Sequence, residues 1–327
     1  MRATTVYQRV ALGSAPARRA THHVAGAVLA AGWRRTWTVD RPEANQPSRT
    51  MARVRRVWKD TLPPRSTAPG DGEPIAVMIP VGPRDLDVVG LAVDGARANL
   101  LDPLTSITLV APDDLVDRLA DAVPHVAVVA EDTVLCSEQT AMIQRGTPPA
   151  RSAWYKQQLV KLQHCLNGPT RHTLVIDADT TLVRPQRFRT AQGDAMFVAA
   201  EYHLPYFDHL ARLLGEDFSR PVFATTAHHM LYDRDALVEL TTVIERRHPG
   251  RTWMEAIIDQ VDAEQHSSFS EGELYGQWMV QQHRRQIAVH AFANVACRRG
   301  DLLPTTAAQL GARFGDEHDS ISMHYYL

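Results

Sequence analysis

From Ile75 onward the apolar positions fall into short continuous runs that alternate with stretches of helical period. Ile75-Ala76-Val77-Met78-Ile79 is closed by Pro80-Val81-Gly82-Pro83, the pattern of a strand buried on both faces and ended by a turn. A helical stretch then runs to about Leu101, followed by a second apolar run from Ile107 to Val110. Ala111-Pro112-Asp113-Asp114 opens another helix, with Asp at the cap and Pro near the first turn. A third run, Val126 to Val129, comes next. Strands alternating with helices in this way predict an α/β fold with a mostly parallel sheet flanked by helices. Such sheets bind ligands at the carboxyl ends of their strands.

Between positions 153 and 167, Tyr155, Leu159, Leu162 and Leu166 recur at helical spacing, and Gly168-Pro169 stops the helix. That face is core. The other side carries Trp154, Gln157, Gln158 and Lys161. A solvated helix face is one reading of these residues; a ligand face on which Lys161 meets a phosphate is the other.

Thr173-Leu174-Val175-Ile176 is a fourth buried strand, and it runs directly into Asp177-Ala178-Asp179-Thr180. Two carboxylates one residue apart at a strand end can bind a hard divalent cation that also grips a diphosphate. Carboxylates in that place also serve as caps and turn formers. The same residues fit a rival chemistry, because Asp177-Ala178-Asp179-Thr180-Thr181 matches the Asp-x-Asp-x-Thr pattern of haloacid-dehalogenase-like phosphatases, with Asp177 as nucleophile. Against that reading, the phosphatase motif lies on its family's first strand, whereas a long stretch of strands and helices precedes it in this chain.

Farther along, His228-His229-Met230 starts an apolar run, Ser270 is a good helix cap, and Glu271 and Glu273 fall in the first turn behind it. Negative charge stabilises a helix start, so these two glutamates have a purely structural explanation beside any catalytic one. His324 lies in Ser322-Met323-His324-Tyr325-Tyr326, and imidazole suits Mn²⁺ as a partner to carboxylate. Tyr202, Tyr206, Phe207, Trp253 and Trp278 are core residues or a stacking surface for a sugar ring or flat acceptor. No His-Glu-x-x-His motif, Walker loop or Gly-x-Gly-x-x-Gly is present.

Charge divides the chain. Residues 1–70 hold 13 Lys/Arg against 3 Asp/Glu, while the remainder holds 22 against 34. The first segment has no sustained apolar period and reads as a disordered or weakly helical extension; a basic arm for anionic lipid or a polyanionic partner is the sharper alternative. Its longest apolar run, Val24 to Trp33, is about half the length a transmembrane helix needs. Cys136, Cys165 and Cys297 show no metal or disulfide spacing, which fits a reducing, cytoplasmic setting.

Several stretches together resemble a bacterial family of glycosyltransferase-like proteins, the DUF6492 type, related to the GT-A fold of nucleotide-sugar transferases. The resemblance rests on residues 79–86, 154–162, 177–180, 228–230 and 269–276. It implies a GT-A-like (Rossmann-like) single catalytic domain over 71–327, with a nucleotide-sugar half at about 71–185 and an acceptor half at about 186–327. By the same resemblance Pro80, Val81, Gly82 and Asp85 border the nucleotide. Asp177 and Asp179, completed by His324, hold Mn²⁺ or Mg²⁺ on the diphosphate, with Ala178 between them. Trp154, Gln157, Gln158, Lys161, His228 and His229 face the donor.

Ser270-Glu271-Gly272-Glu273-Leu274 resembles the late acidic motif of inverting GT-A enzymes, which puts Glu271 at the base position, with Glu273 beside it. The expected partners are a UDP-sugar and a hydroxyl-bearing acceptor such as a saccharide or nucleoside; no nucleic-acid polymer is expected. A non-catalytic nucleotide-sugar binding protein is the third reading, although its signature, a broken Asp-x-Asp or a missing late acid, is not seen.

Overall fold

The computed structural model describes residues 68–199, 202–219, 221 and 223–325. The basic extension lies outside the described residues as far as position 67.

β1 (Ile75–Pro80) is buried along its whole length, as its unbroken apolar run requires. The chain continues through α1 (Val89–Asn99), β2 (Leu104–Ala111), α2 (Val116–Ala122), β3 (Ala127–Ala130), α3 (Ser137–Gly146) and α4 (Ser152–Asn167) to β4 (His172–Ile176). β5 (Thr180–Leu182), β6 (Arg189–Thr190), β7 (Gly193–Val198), α5 (Leu204–Leu214) and β8 (His229–Asp233) follow. The remainder comprises α6 (Arg234–Arg247), α7 (Trp253–Asp259), α8 (Glu271–Gln282), β9 (Ile287–Ala291), β10 (Asn294–Arg298), α9 (Ala307–Phe314) and β11 (Ser320–His324).

The central sheet has the order β3-β2-β1-β4-β8, with β8 antiparallel to β4 and the other pairs parallel. It is a Rossmann-like arrangement. The chain leaves β1 in one direction to β2 and β3, then returns to β4 on the other side of β1. The carboxyl ends of β1 and β4 therefore border the crevice where strand order reverses, the usual ligand site of open α/β sheets. Pairing crosses position 185: β8 completes the sheet begun by β1 to β4, and β5 pairs with β11.

Both faces of the sheet are covered. Met78 and Val175 pack with Tyr155, Leu159 and Leu162 of α4, while Ile79, Leu174 and Ile176 pack with Val89, Ala92 and Val93 of α1. A Cβ on Gly95 would lie 2.7 Å from Thr181 Cγ2 and 2.8 Å from the Leu182 carbonyl oxygen, so glycine lets α1 close on β5. Two three-stranded sheets flank this layer, β10-β11-β5 and β6-β7-β9. Among the described residues no helix is long and apolar enough to cross a membrane, and the three cysteines form no disulfide.

Candidate functional site

β4 hydrogen-bonds to β1 on one side and β8 on the other, which fixes the point at which Asp177 leaves the sheet. The turn is pinned by backbone: Asp177 N–H donates to the His228 carbonyl at 2.9 Å, Thr180 N–H to the Asp177 carbonyl at 2.9 Å, and Met323 N–H to the Asp179 carbonyl at 2.8 Å. Ala178 turns into the core and is 3% exposed. The two aspartates on either side of it are partly exposed.

Lys161 reaches the same place from α4. It is buried, and its Nζ donates to Asp177 Oδ1 at 2.8 Å and to Glu271 Oε1 at 2.9 Å. Burial works against the ammonium, but the Asp177 and Glu271 charges outweigh it and hold the Lys161 pKa above its ordinary value. Burial likewise opposes ionisation of Asp177, yet Lys161 and then His228 hold its pKa below the usual carboxylate range. His228 Nδ1 lies 3.3 Å from Asp177 Oδ2, and His324 Nδ1 lies 3.0 Å from Asp179 Oδ2.

Asp177, Asp179 and His228 each offer one ligand atom, and these atoms all lie within 4.8 Å of one another. Two carboxylate oxygens and an imidazole nitrogen are a donor set that suits Mn²⁺ or Mg²⁺. His324, the third ligand expected from the sequence, lies against the same cluster, with its Nδ1 on the Asp179 carboxylate.

The β1 turn approaches from the opposite side. Pro80 ends the strand, Val81 N–H donates to the Val110 carbonyl at 2.8 Å, and Asp85 N–H closes on the Gly82 carbonyl at 3.0 Å. Burial pushes the Asp85 carboxyl up, Arg299 pulls it back, and the nearby Asp179 charge pushes it up again. Arg299 was not singled out from the sequence. It donates to Asp85 Oδ1 at 3.0 Å, to Asp87 Oδ1 at 2.7 Å and to the Met323 carbonyl at 3.3 Å, and its Nη1 also meets the Arg84 carbonyl. The β1 turn and β11 are thereby joined through one buried guanidinium. Asp85 is 214 residues from Arg299, so no local spacing announces the pair.

Other expected site residues have different places. His229, the first residue of β8, is buried among the rings of Phe188, Phe197 and Phe292. Glu273 is 1% exposed, and both of its oxygens are engaged. Oε1 accepts from Thr225 N–H at 2.7 Å and Thr226 N–H at 2.8 Å, and Oε2 from the Thr225 hydroxyl at 3.0 Å and Gln277 at 3.1 Å. Its carboxylate anchors the 225–226 segment to α8. Burial pushes its pKa up against those donors.

Glu271 also differs from a residue that merely starts a helix. The Ser270 hydroxyl caps α8 by accepting from Glu273 N–H, and Glu271 is buried with Oε1 on Lys161 and no hydrogen bond to Oε2 among the described residues. On α4, Gln158 is buried and Gln157 half-buried on the flank that carries Lys161. Trp154, two turns earlier, stacks on Tyr206 at 6.5 Å with Arg151 over its ring at 4.6 Å. Tyr202, Phe207 and Trp278 are core, and Trp253 packs partly buried against it. The three buried rings supply no exposed stacking surface.

A Rossmann-like sheet carrying an acidic, imidazole-flanked cluster at its switch point defines the class of protein. The chain belongs to the DUF6492 family, a family of unknown function, which it matches over residues 100–307. That span contains Lys161, Asp177, Asp179, His228 and Glu271; Asp85 and His324 lie outside it. No curated protein matches the chain.

Proposed function

We propose that this protein is a metal-dependent glycosyltransferase of GT-A type that moves a sugar, glucose or a close relative, from a UDP-sugar to an alcohol acceptor. The observation that carries the reading is the gathering of Asp177, Asp179 and His228 at the carboxyl end of β4, beside a buried lysine. Asp177, Asp179 and His228 would hold Mn²⁺ or Mg²⁺, which when bound supplies charge neutralisation for a departing diphosphate.

The chain's own residues have these parts. The Lys161 ammonium adds fixed positive charge at the same point and orients Asp177, at no reorganisation cost during reaction. The β1 turn from Pro80 to Asp85 borders the crevice and limits it on the nucleotide side. His324 holds Asp179 from β11. Glu271 keeps one oxygen on Lys161 and offers Oε2 to the acceptor hydroxyl, from which it takes the proton as the new glycosidic bond forms and the bond to the diphosphate breaks. Asp177 follows the fourth strand of the sheet and is paired with Lys161 and His228, which supports this reading over a phosphatase that uses it as nucleophile on a first strand.

A screen of nucleotide-sugars with Mn²⁺ and chelator controls, reading release of nucleoside diphosphate, tests the proposal. Metal-dependent turnover of one donor is expected. Hydrolysis of generic phosphomonoesters without any response to nucleotide-sugars would transfer the site to the phosphatase reading. Near-normal turnover by Glu271→Gln would remove that residue as base.

A further inference from the structure

The other end of β4 carries a second cluster, separate from the candidate site by the length of the strand. His172 opens β4, is 1% exposed, and pairs across the sheet with Asp233, the last residue of β8. Its Nε2 lies 3.7 Å from a carboxylate oxygen of Asp233 and 3.7 Å from one of Asp194, and its Nδ1 lies 3.7 Å from Glu73. These separations are too long for hydrogen bonds. Nδ1 is buried and has no hydrogen-bond partner among the described residues. Nε2 thus faces the two aspartates and Nδ1 faces Glu73, each beyond hydrogen-bond reach, in a place where buried polar atoms are almost always paired.

The spacing fits an ion between the groups better than a proton. Ligand atoms at about 2.0–2.1 Å from a tetrahedral Zn²⁺ stand about 3.3–3.4 Å apart, so the two separations of 3.7 Å from the ring to the aspartates are each a few tenths of an ångström longer than an ion needs. One ligand atom from each of His172, Asp194 and Asp233 already lies within 4.8 Å of the others.

Charge and support point the same way. Arg171 and Arg189 supply two guanidiniums against five carboxylates within salt-bridge distance of them. Arg171 grips Asp233 at 2.8 and 3.2 Å, and Arg189 Nε stands 3.5 Å from Asp194, so each acid is oriented by a second partner in the manner of groups that back metal ligands. Burial, with Arg189 adding to it, holds the His172 pKa down at about 4. The ring is neutral at physiological pH, the form that ligates metals.

We propose that His172, Asp194 and Asp233, with Glu73 in reach of the ring's other nitrogen, form a structural site for a divalent cation of the Zn²⁺ class. Such an ion would tie β4 and β8 of the central sheet to β7 of the β6-β7-β9 sheet. The inference is independent of the transferase reading, since none of these residues belongs to the Asp177 cluster.

The test uses the full chain with Asp177→Asn and Asp179→Asn in place, stripped with chelator, then titrated with Zn²⁺ and separately with Mn²⁺. Bound metal is counted by elemental analysis after dialysis, and melting temperature is recorded at each addition. One equivalent of tightly held Zn²⁺ and a rise in melting temperature are expected. Adding Asp194→Asn or His172→Gln should weaken that binding at least tenfold and abolish the rise. Absence of stoichiometric Zn²⁺ in the Asp177→Asn/Asp179→Asn protein would overturn the site, a result that needs neither further variant to fold. Binding unaffected by both further changes would also overturn it and assign the metal to another group, such as the exposed Cys136 thiol.

Discussion

The Lys161 ammonium meets the Glu271 carboxylate at 2.9 Å across 110 positions of sequence, and the same nitrogen holds Asp177. A single buried cation thus couples the strand-end acid to the helix-start acid. Replacing Lys161 by Met would leave the buried Glu271 carboxylate, and the partly exposed Asp177 carboxylate beside it, without their shared partner. Loss of about 3–5 kcal/mol of unfolding free energy is expected, measured by urea denaturation at neutral pH. A loss below about 1 kcal/mol would mean that water reaches both acids.

Asp179→Asn keeps the size of the side chain and removes one of the charges that the proposal assigns to the metal. Changes to groups that merely support a metal ligand cost about 10–100-fold in affinity or activity, so loss of the ligand itself is expected to cost at least about a hundredfold in Mn²⁺ affinity. His324→Gln, acting through Asp179, should cost about tenfold. Mn²⁺ binding followed by electron paramagnetic resonance separates the two. Equal losses would promote His324 to a ligand.

Gly95→Ala tests how closely α1 must approach β5. The added methyl meets the Leu182 carbonyl as well as the Thr181 side chain, and backbone cannot step aside as a flexible side chain can. Destabilisation of about 1–3 kcal/mol is expected, although alanine is the better helix former. A stabilised variant in thermal melts would show that the helix shifts freely.

His209 sets a pH dependence of its own. It is fully buried with Nε2 on the Ile257 carbonyl at 3.0 Å, and burial holds its pKa down at about 4. A histidine depressed in the folded state contributes stability that is present above its unfolded pKa, about 6.5, and is lost as pH falls through the folded value. Between pH 7 and pH 5 the wild type should therefore lose about 2 kcal/mol more than His209→Gln. Parallel denaturant curves at the two pH values measure the difference.

Those parts of the site that lie on one element could be read from the chain itself. An apolar run buried on both faces located β4, and its abrupt end at Asp177 marked where acids would emerge. Helical spacing likewise separated Lys161 from the core stripe of Tyr155, Leu159 and Leu162. The remainder depends on contacts between distant segments. Nothing near His324 reveals that it meets Asp179, nothing near Glu273 reveals that Thr225 and Thr226 will occupy its oxygens, and Arg299 acquires its meaning only when the β1 turn arrives. Nothing near His229 reveals the rings of Phe188, Phe197 and Phe292 that surround it, while its neighbour His228 lies against Asp177.

β11 closes against β5 and clasps the Asp179 carbonyl through Met323, while His324 takes that residue's carboxylate across 145 positions. Contacts of such sequence separation form late, because the intervening loop must be ordered first. A partly folded chain carries every acid of the cluster, yet their arrangement is complete only once this strand docks, so the geometry of the cluster reports on completed folding.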